Sequence, residues 1–310
     1  MRSHTTCKKC GNSDISLDRK SGDVKESRLR KVPNQDMKFV LWILSLLITV
    51  AVVDAAAPAS DKASNSPYVP GNTWVTAQNG GSGFGGWVLT SGTSSGFFIS
   101  TSSGNGGTPP SGNIDTAGVS WGMFASNGDT ASAIRPFTLG GPNASKQLAV
   151  GQSISLAMDN GIVQAGGMVG FSLNDGMSNP RFEFYYLGGD SVDSYKININ
   201  GTQFNLGLPF TDNGFSNITF TLGASNTWSL SITENGVAGT MMYSSANFAS
   251  LASSNIAQIQ LFDLNGGSAS NDFAYFNSLT INAVPEPSVM SLLAGSAILS
   301  GWRFIRRRRV

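Results

Sequence analysis

Glu183 and Glu234 are the two glutamates of the long middle stretch, residues 71–283. A carboxyl pair is what a glycosidase needs, about 5–5.5 Å apart when the enzyme retains configuration. Glu183 lies in Arg181-Phe182-Glu183-Phe184-Tyr185, flanked by aromatics as a catalytic glutamate on a strand would be. The alternate positions hold Arg181 and Tyr185, so no second carboxylate follows on its own face. Glu183 therefore reads as an exposed strand residue paired with Arg181 or Lys196. Histidine and cysteine are absent from this stretch. That removes a histidine-based triad, a cysteine nucleophile and the usual zinc sites, and no catalytic residue is assigned. Hard oxygen ligands for calcium are available at Asp159, Asn160, Asp263, Asn265 and Asp272. Calcium is the one cofactor left open, with Asp159, Asp263 and Asp272 as its candidate ligands. Asp-Asn-Gly is nevertheless a turn sequence first. Trp74, Trp87, Trp121, Tyr185 and Tyr186 are the side chains that could stack on sugar rings. Most aromatics at strand spacing are core, Trp228 among them. Trp87 and Trp121 stand in glycine-rich surroundings, which makes them, with Tyr185, the candidate glycan-binding residues.

These side chains are carried by segments of period two. Ile154, Leu156 and Met158 alternate with Ser and Ala; Val169, Phe171 and Leu173 with Gly and Ser; Phe182, Phe184 and Tyr186 with Glu183 and Tyr185. The same holds for Ile197 and Ile199, for Ile218, Phe220 and Leu222, for Trp228, Leu230 and Ile232, and for Ile259 and Leu261. Successive side chains of a strand point to opposite faces, so each set is a half-buried antiparallel strand. Turn sequences fall between them: Asp159-Asn160-Gly161, Gly188-Gly189-Asp190, Asn200-Gly201, Asp212-Asn213-Gly214, Glu234-Asn235-Gly236 and Asn265-Gly266-Gly267. Only Ser245 to Ser253 reads as helical, with Phe248 and Leu251 three apart. A dozen or so short strands at regular spacing predict an all-β, two-sheet antiparallel sandwich or jelly roll. Without cysteine, its stability must come from a core, and about 210 residues can supply one.

The formal charge of the whole chain is +1, but its distribution is uneven. Residues 55–284 hold five basic side chains (Lys62, Arg135, Lys146, Arg181, Lys196) against twelve acidic ones, a net charge of −7. An acidic, lysine-poor body excludes nucleic acid as a partner. Residues 1–36 are charged and unpatterned. They hold His4, Cys7 and Cys10. The C-x-x-C pair lacks the second pair that a zinc ribbon needs. This segment reads as a disordered leader or a mis-assigned start. Met37 opens the three-part plan of a secretory signal peptide over 37–57: Lys38, the apolar run Phe39 to Val53, then Ala55-Ala56-Ala57. Residues 58–70, rich in Ala, Ser, Asn and Pro, read as a linker ahead of one β domain over 71–283.

The last 27 residues, 284–310, differ again. Pro285-Glu286-Pro287 leads into an apolar run of about eighteen residues, Ser288 to Ile305, and Arg306, Arg307, Arg308 and Arg309 follow. That run is at the short end of what spans a bilayer, Trp302 stands where an interfacial aromatic belongs, and the arginines hold their end inside. This tail resembles the PEP-CTERM sorting signal. The resemblance implies recognition by an exosortase-type processing enzyme, transient anchoring in the inner membrane through a C-terminal transmembrane helix, and delivery to the cell surface or an exopolysaccharide matrix. The closing part of the body, Gln258 to Ile281, resembles the end of concanavalin-like jelly rolls: a strand Ile259-Gln260-Leu261-Phe262-Asp263, a Gly/Ser loop, then Phe276 to Ile281. Laminarinase-type members carry acidic residues at alternate positions of one strand, and Arg181-Phe182-Glu183-Phe184-Tyr185 departs from that. The leading expectation is a non-enzymatic exported surface or matrix protein that binds polysaccharide. The alternatives are a secreted glycan-active hydrolase or lyase, and a structural surface protein without a ligand.

Overall fold

In the computed structural model the described residues are 58–68, 73–103, 105, 113–139 and 146–282. The segments expected to be a leader (1–36), a signal peptide (37–57) and a sorting tail (284–310) lie outside them. Among the described residues no helix is long and apolar enough to cross a membrane. Fifteen strands among the described residues form two antiparallel sheets, of eight and seven strands.

The eight-stranded sheet contains β1 (Ala59–Asp61), β3 (Ser95–Ser100), β4 (Ser120–Ala125), β6 (Ser153–Asn160), β11 (Phe215–Leu222), β12 (Trp228–Glu234), β13 (Met241–Ser244) and β15 (Ala274–Ile281). The seven-stranded sheet runs β10 (Thr202–Asn205), β9 (Lys196–Ile199), β8 (Pro180–Leu187), β7 (Met168–Asn174), β14 (Gln258–Leu264), β5 (Thr130–Pro136) and β2 (Val88–Ser91). Successive strands β2/β3, β4/β5, β6/β7, β10/β11 and β14/β15 cross from one sheet to the other, which is jelly-roll winding. The inner faces share one core. Phe182 of β8 meets Phe220 of β11 at 4.9 Å and Trp228 of β12 at 5.2 Å between ring centroids, and Phe184 meets Phe215 at 6.0 Å. The alternating apolar sets of β6, β7, β9, β11, β12 and β14 all point into this core, as their period requires. Asn200 and Gly201, both at positive φ, turn β9 back onto β10.

Three expectations are corrected. Residues 58–68 are not a linker. β1 pairs with Leu279–Ile281 of β15, and Ala59, Ala63 and Tyr68 are buried. Ser60 also exchanges backbone hydrogen bonds with Ser82, while Gly83 O accepts from Thr138 N just past β5 and Gly85 N donates to Pro136 O at its last residue. The N-terminal segment thus stitches the two sheets together along one side. β15 makes room for it through a bulge at Asn277. Its first half pairs with β4 and its second half with β1. The buried Asn277 amide holds the junction, accepting from Ala63 N (3.1 Å) and donating to Val119 O (2.9 Å) and Ile114 O (3.2 Å).

The second correction is Ser245 to Ser253, which forms one turn and then an extended loop. Its backbone bonds run to distant partners, Leu251 N to Asn226 O and Ala252 N to Asn200 Oδ1, so no helical ladder builds. Phe248 and Leu251 still pack inward. The third is Asp159-Asn160-Gly161, which is not a turn. Asp159 and Asn160 finish β6, and a Cβ on Gly161 would stand 2.0 Å from Asn271 O. Glycine serves there for close backbone approach.

Candidate polar face of the seven-stranded sheet

β8 places Phe182, Phe184 and Tyr186 inward, so Arg181, Glu183 and Tyr185 point to the outer face. Register then assembles a row across all seven strands. Gln203 pairs with Asn198, Asn198 with Glu183, Glu183 with Ser172, and Ser172 with Gln260; Ile134 and Val88 continue the row to the edge. Its five polar members, at about 4.8 Å per strand, span roughly 19 Å. The next row holds Lys196, Tyr185, Gly170 and Phe262.

The hydrogen bonds of this face run across strands. Asn198 Nδ2 donates to Glu183 Oε2 at 2.6 Å. Asn174 Nδ2 donates to Gln260 Oε1 at 2.9 Å, and Gln260 Nε2 to Ser132 Oγ at 2.9 Å. Arg181 Nη2 is paired with Asp175 Oδ2 at 2.6 Å, and Lys196 with Asp190 and with Asn205. Glu183 is thus bonded to Asn198, not to Arg181 or Lys196 as expected, because each cation finds a nearer carboxylate in the loops at the ends of β8. Burial pushes the Glu183 carboxyl up, against the opposing Asn198 bond. Several polar atoms here are buried without a hydrogen bond: Asn174 Oδ1, Asn198 Oδ1 and Arg181 Nε. The Tyr185 hydroxyl faces the Gln203 amide without closing a bond of ordinary geometry, and burial pushes it up to about 12. A buried polar group without a partner costs free energy.

The sequence-derived sugar platform is not present as such. Trp87 and Trp121 are 0% and 1% exposed. They belong to the inner core, where their rings meet at 5.3 Å and both pack on Trp74. Tyr185 does lie on the outer face, but at 1% exposure its ring offers no open surface. The glutamates do not converge either. Glu183 is on the seven-stranded sheet and Glu234 at the end of β12 in the other, accepting from Thr211 and Asn213. Asp159 likewise belongs to one sheet and Asp263 to the other. Asp272 Oδ2 is taken by Gln164 Nε2 and Ala269 N. Among the described residues no group of three or more His, Cys, Asp or Glu side chains gathers around a metal-sized space.

No protein-family model matches the chain, and no curated protein matches it in sequence. Solved structures show loose similarity. The protein of unknown function SO2946 from Shewanella oneidensis MR-1 aligns at 9% identity over 82% of this chain and 96% of its own, with a TM-score of 0.39. Winged bean acidic lectin complexed with methyl-α-D-galactose aligns at 11% identity, over 64% and 92% of the two chains, with a TM-score of 0.36. Bacillus licheniformis β-glucanase aligns at 11% identity, over 74% and 99%, with a TM-score of 0.34. At these values no residue is transferred from them.

The residues missed in the sequence are Asn198, Ser172, Gln260 and Asn174. Each follows an apolar residue within a period-two strand, which marks it as outward-facing. Their meeting in one row depends on pairing between strands as far apart in sequence as β7 and β14.

Proposed function

We propose that this chain is an exported, non-enzymatic surface or matrix protein of concanavalin-like jelly-roll fold, sorted through its C-terminal tail, that binds polysaccharide on the outer face of its seven-stranded sheet. One observation supports the binding role above others: a row of five amide, hydroxyl and carboxylate side chains laid across the strands of one face. Polyols carry donors and acceptors at close spacing and match such a row. A single unpaired carboxyl on the face, with Glu234 on the other sheet, favours binding over a two-carboxylate hydrolysis.

A glycan array tests this. Asn198→Ala and Gln260→Ala are expected to weaken binding roughly five- to tenfold each, the worth of about one hydrogen bond, while the melt stays close to that of the parent. A parent chain that binds no glycan would leave the structural surface protein as the reading. Release of reducing ends by the parent, abolished in Glu183→Gln, would make the hydrolase or lyase alternative correct.

The sorting role has its own test. Prolines cannot extend the apolar helix smoothly, so Pro285-Glu286-Pro287 presents an accessible segment at the membrane boundary. Intact-mass measurement of native protein is expected to show a mature C-terminus near this triplet. Glu286→Ala is expected to leave uncleaved precursor in the inner membrane. Recovery of native chains ending in Arg309-Val310 would indicate a permanent anchor.

A further inference from the structure

β15 leaves the sandwich at Ile281, and β1 enters beside it, since Ala59 pairs with Ile281. β5, β7 and β11 finish at this same end, and β6, β8, β12 and β14 begin there. Five residues, 283–287, separate Asn282 from Ser288, where the apolar run read as a membrane segment starts. Their reach is at most about 20 Å. The stretch read as a signal peptide, 37–57, also joins the described chain here, at residue 58. One end of the sandwich is therefore the one held near lipid.

The chemistry of that end suits it. The β7–β8 turn carries Met177 at its tip, 80% exposed. Asp175 holds the turn in shape: Oδ1 accepts from Met177 N at 2.8 Å and Asn179 N at 3.0 Å, and Oδ2 from Arg181 Nη2 at 2.6 Å. The ion pair with Arg181 neutralises it, and Asp175 is the only carboxylate among the described residues of the loops at this end. Val150 is 51% exposed in a turn that Gln152 N closes on Ala149 O, and Lys146 is exposed on the same connection. The opposite end differs. Asp129, Asp190, Asp193, Asp212 and Asp272 lie in its loops and Glu234 finishes β12, against Lys196, which Asp190 already holds. Ile162, Val192 and Val237 are exposed there too, but next to these carboxylates. An anionic lipid surface repels that end and accepts the other.

We propose that the end of the sandwich bearing residue 282 docks on the phospholipid surface while the tail is uncleaved. Met177 and Val150 enter the headgroup layer, and Lys146 meets lipid phosphate. The inference rests on the reading of 288–305 as a membrane segment and adds a contact made by the body itself. So short a tether gives an effective concentration of roughly mM, so a contact too weak to hold the free body is populated on the anchored one. The Met177 turn is already fixed by its hydrogen bonds, so little conformational freedom is lost on docking. Cutting the tail removes the tether, and the body then leaves the membrane.

The test uses the full chain, carrying Cys7→Ser and Cys10→Ser, in nanodiscs of equal parts phosphatidylcholine and phosphatidylglycerol. A fluorophore is attached at Met177→Cys, Val150→Cys or Val237→Cys, and lipids with a spin-labelled headgroup act as quencher. Quenching at positions 177 and 150 is expected to exceed that at 237 about threefold or more, since strands of eight residues, about 27 Å long, separate the two ends. In the Val150→Cys chain, Met177→Asp is expected to lower quenching about threefold, because a charge that the lipid repels replaces an apolar side chain that enters it. The melt should stay unchanged, as that side chain is exposed. Quenching at position 150 that Met177→Asp leaves unaltered would overturn the docking and leave a body held near lipid by its tether alone. Quenching at 237 equal to or above that at 177, or none at any position in a chain that stays in the nanodisc, would overturn it while the membrane segment stands. A chain that does not enter nanodiscs defeats the anchor reading and the inference with it.

Discussion

A chain shortened to begin at residue 73 is expected to be unfolded at room temperature, whereas residues 58–282 melt cooperatively. The reason is Arg135. It points inward from β5, is 0% exposed, and stands over the rings of Trp87 and Phe84 at 4.7 and 5.5 Å. Its charge is met by Asp61 Oδ2 at 2.5 Å, and its two terminal nitrogens also donate to Asn79 Oδ1 at 2.6 Å and Gln78 O at 3.1 Å, while Nε has no partner. Tyr68 closes the cluster. Its hydroxyl donates to Asp61 Oδ2 at 2.6 Å and accepts from Trp87 Nε1 at 2.9 Å, and its ring packs edge-on against Trp121. Removing residues 58–72 deletes Asp61 and Tyr68 and strips β1 from β15. Breaking a buried ion pair from one side costs about 3–5 kcal/mol, because the remaining charge stays in the core. Loss of β1 and of the buried Ala59, Ala63 and Tyr68 adds to that, against a total stability of about 5–15 kcal/mol. Arg135→Ala and Asp61→Ala in the 58–282 chain are each expected to cost about 3–5 kcal/mol in denaturant unfolding. Combining Asp61→Asn with Arg135→Met should cost less than the two single changes added together, since no unpaired charge is left behind. Equal melting temperatures for the 58–282 and 73–282 chains would show the clasp to be dispensable.

That clasp marks where the sequence was hardest to read. The Ala, Ser, Asn and Pro content of residues 58–70 has the composition of a linker, and three residues of β1 are too few to show a period. Only the distant Arg135, Asn277 and Leu279–Ile281 give the segment a place. The longer strands were legible because alternation is local: Phe182, Phe184 and Tyr186 announce the inner face of β8 without knowledge of its neighbours. The tryptophans misled for a physical reason. The Gly122 beside Trp121 does not open that region to solvent. A Cβ there would stand 2.3 Å from the Phe98 ring, so the missing side chain lets another aromatic lie across the strand. The glutamate arithmetic held in part. Glu183 is the single glutamate on its face, but its partner is an amide, because Asp175 and Asp190 reach the cations first. The polar row itself was not legible. Asn198 and Gln260 each appear as outward residues, while their shared face depends on strand order.

The domain is also expected to be markedly more stable at pH 5 than at pH 8. Asp263 follows Ile259 and Leu261 on the inward face of β14, between Val169 and Ala131 in register. It is 0% exposed. Its Oδ1 accepts from Gly266 N at 2.8 Å, and Oδ2 has no partner. Burial pushes this carboxyl up to about 8, with Asp272 adding to the rise. Asp159 on β6 is 1% exposed and is likewise pushed to about 8 by burial, with Asp115 and Asp212 adding and Asn105 opposing. Unfolding returns each group to an ordinary carboxylate near 4. Between about pH 4 and 8 the folded chain therefore holds protons that the unfolded chain has released. Stability is fully present below that window and falls as pH rises through it, by roughly 1.4 kcal/mol per pH unit for each group. Asp175, Asp129 and Asp190 are held low by hydrogen bonds, so their contribution runs the other way and is lost only in stronger acid. The two trends place the maximum near pH 4–5. Urea unfolding of the 58–282 chain from pH 5 to pH 8 is expected to lose several kcal/mol. Asp263→Asn keeps an acceptor for Gly266 N and removes the titration, so it should take away about half of the slope. Adding Asp159→Asn should remove most of the slope that remains, leaving the smaller contributions of Glu183 and Asp61, whose carboxyls burial also raises. A parent chain equally stable at both pH values, or a slope that Asp263→Asn leaves unchanged, would mean that these carboxyls are ionised in the folded protein.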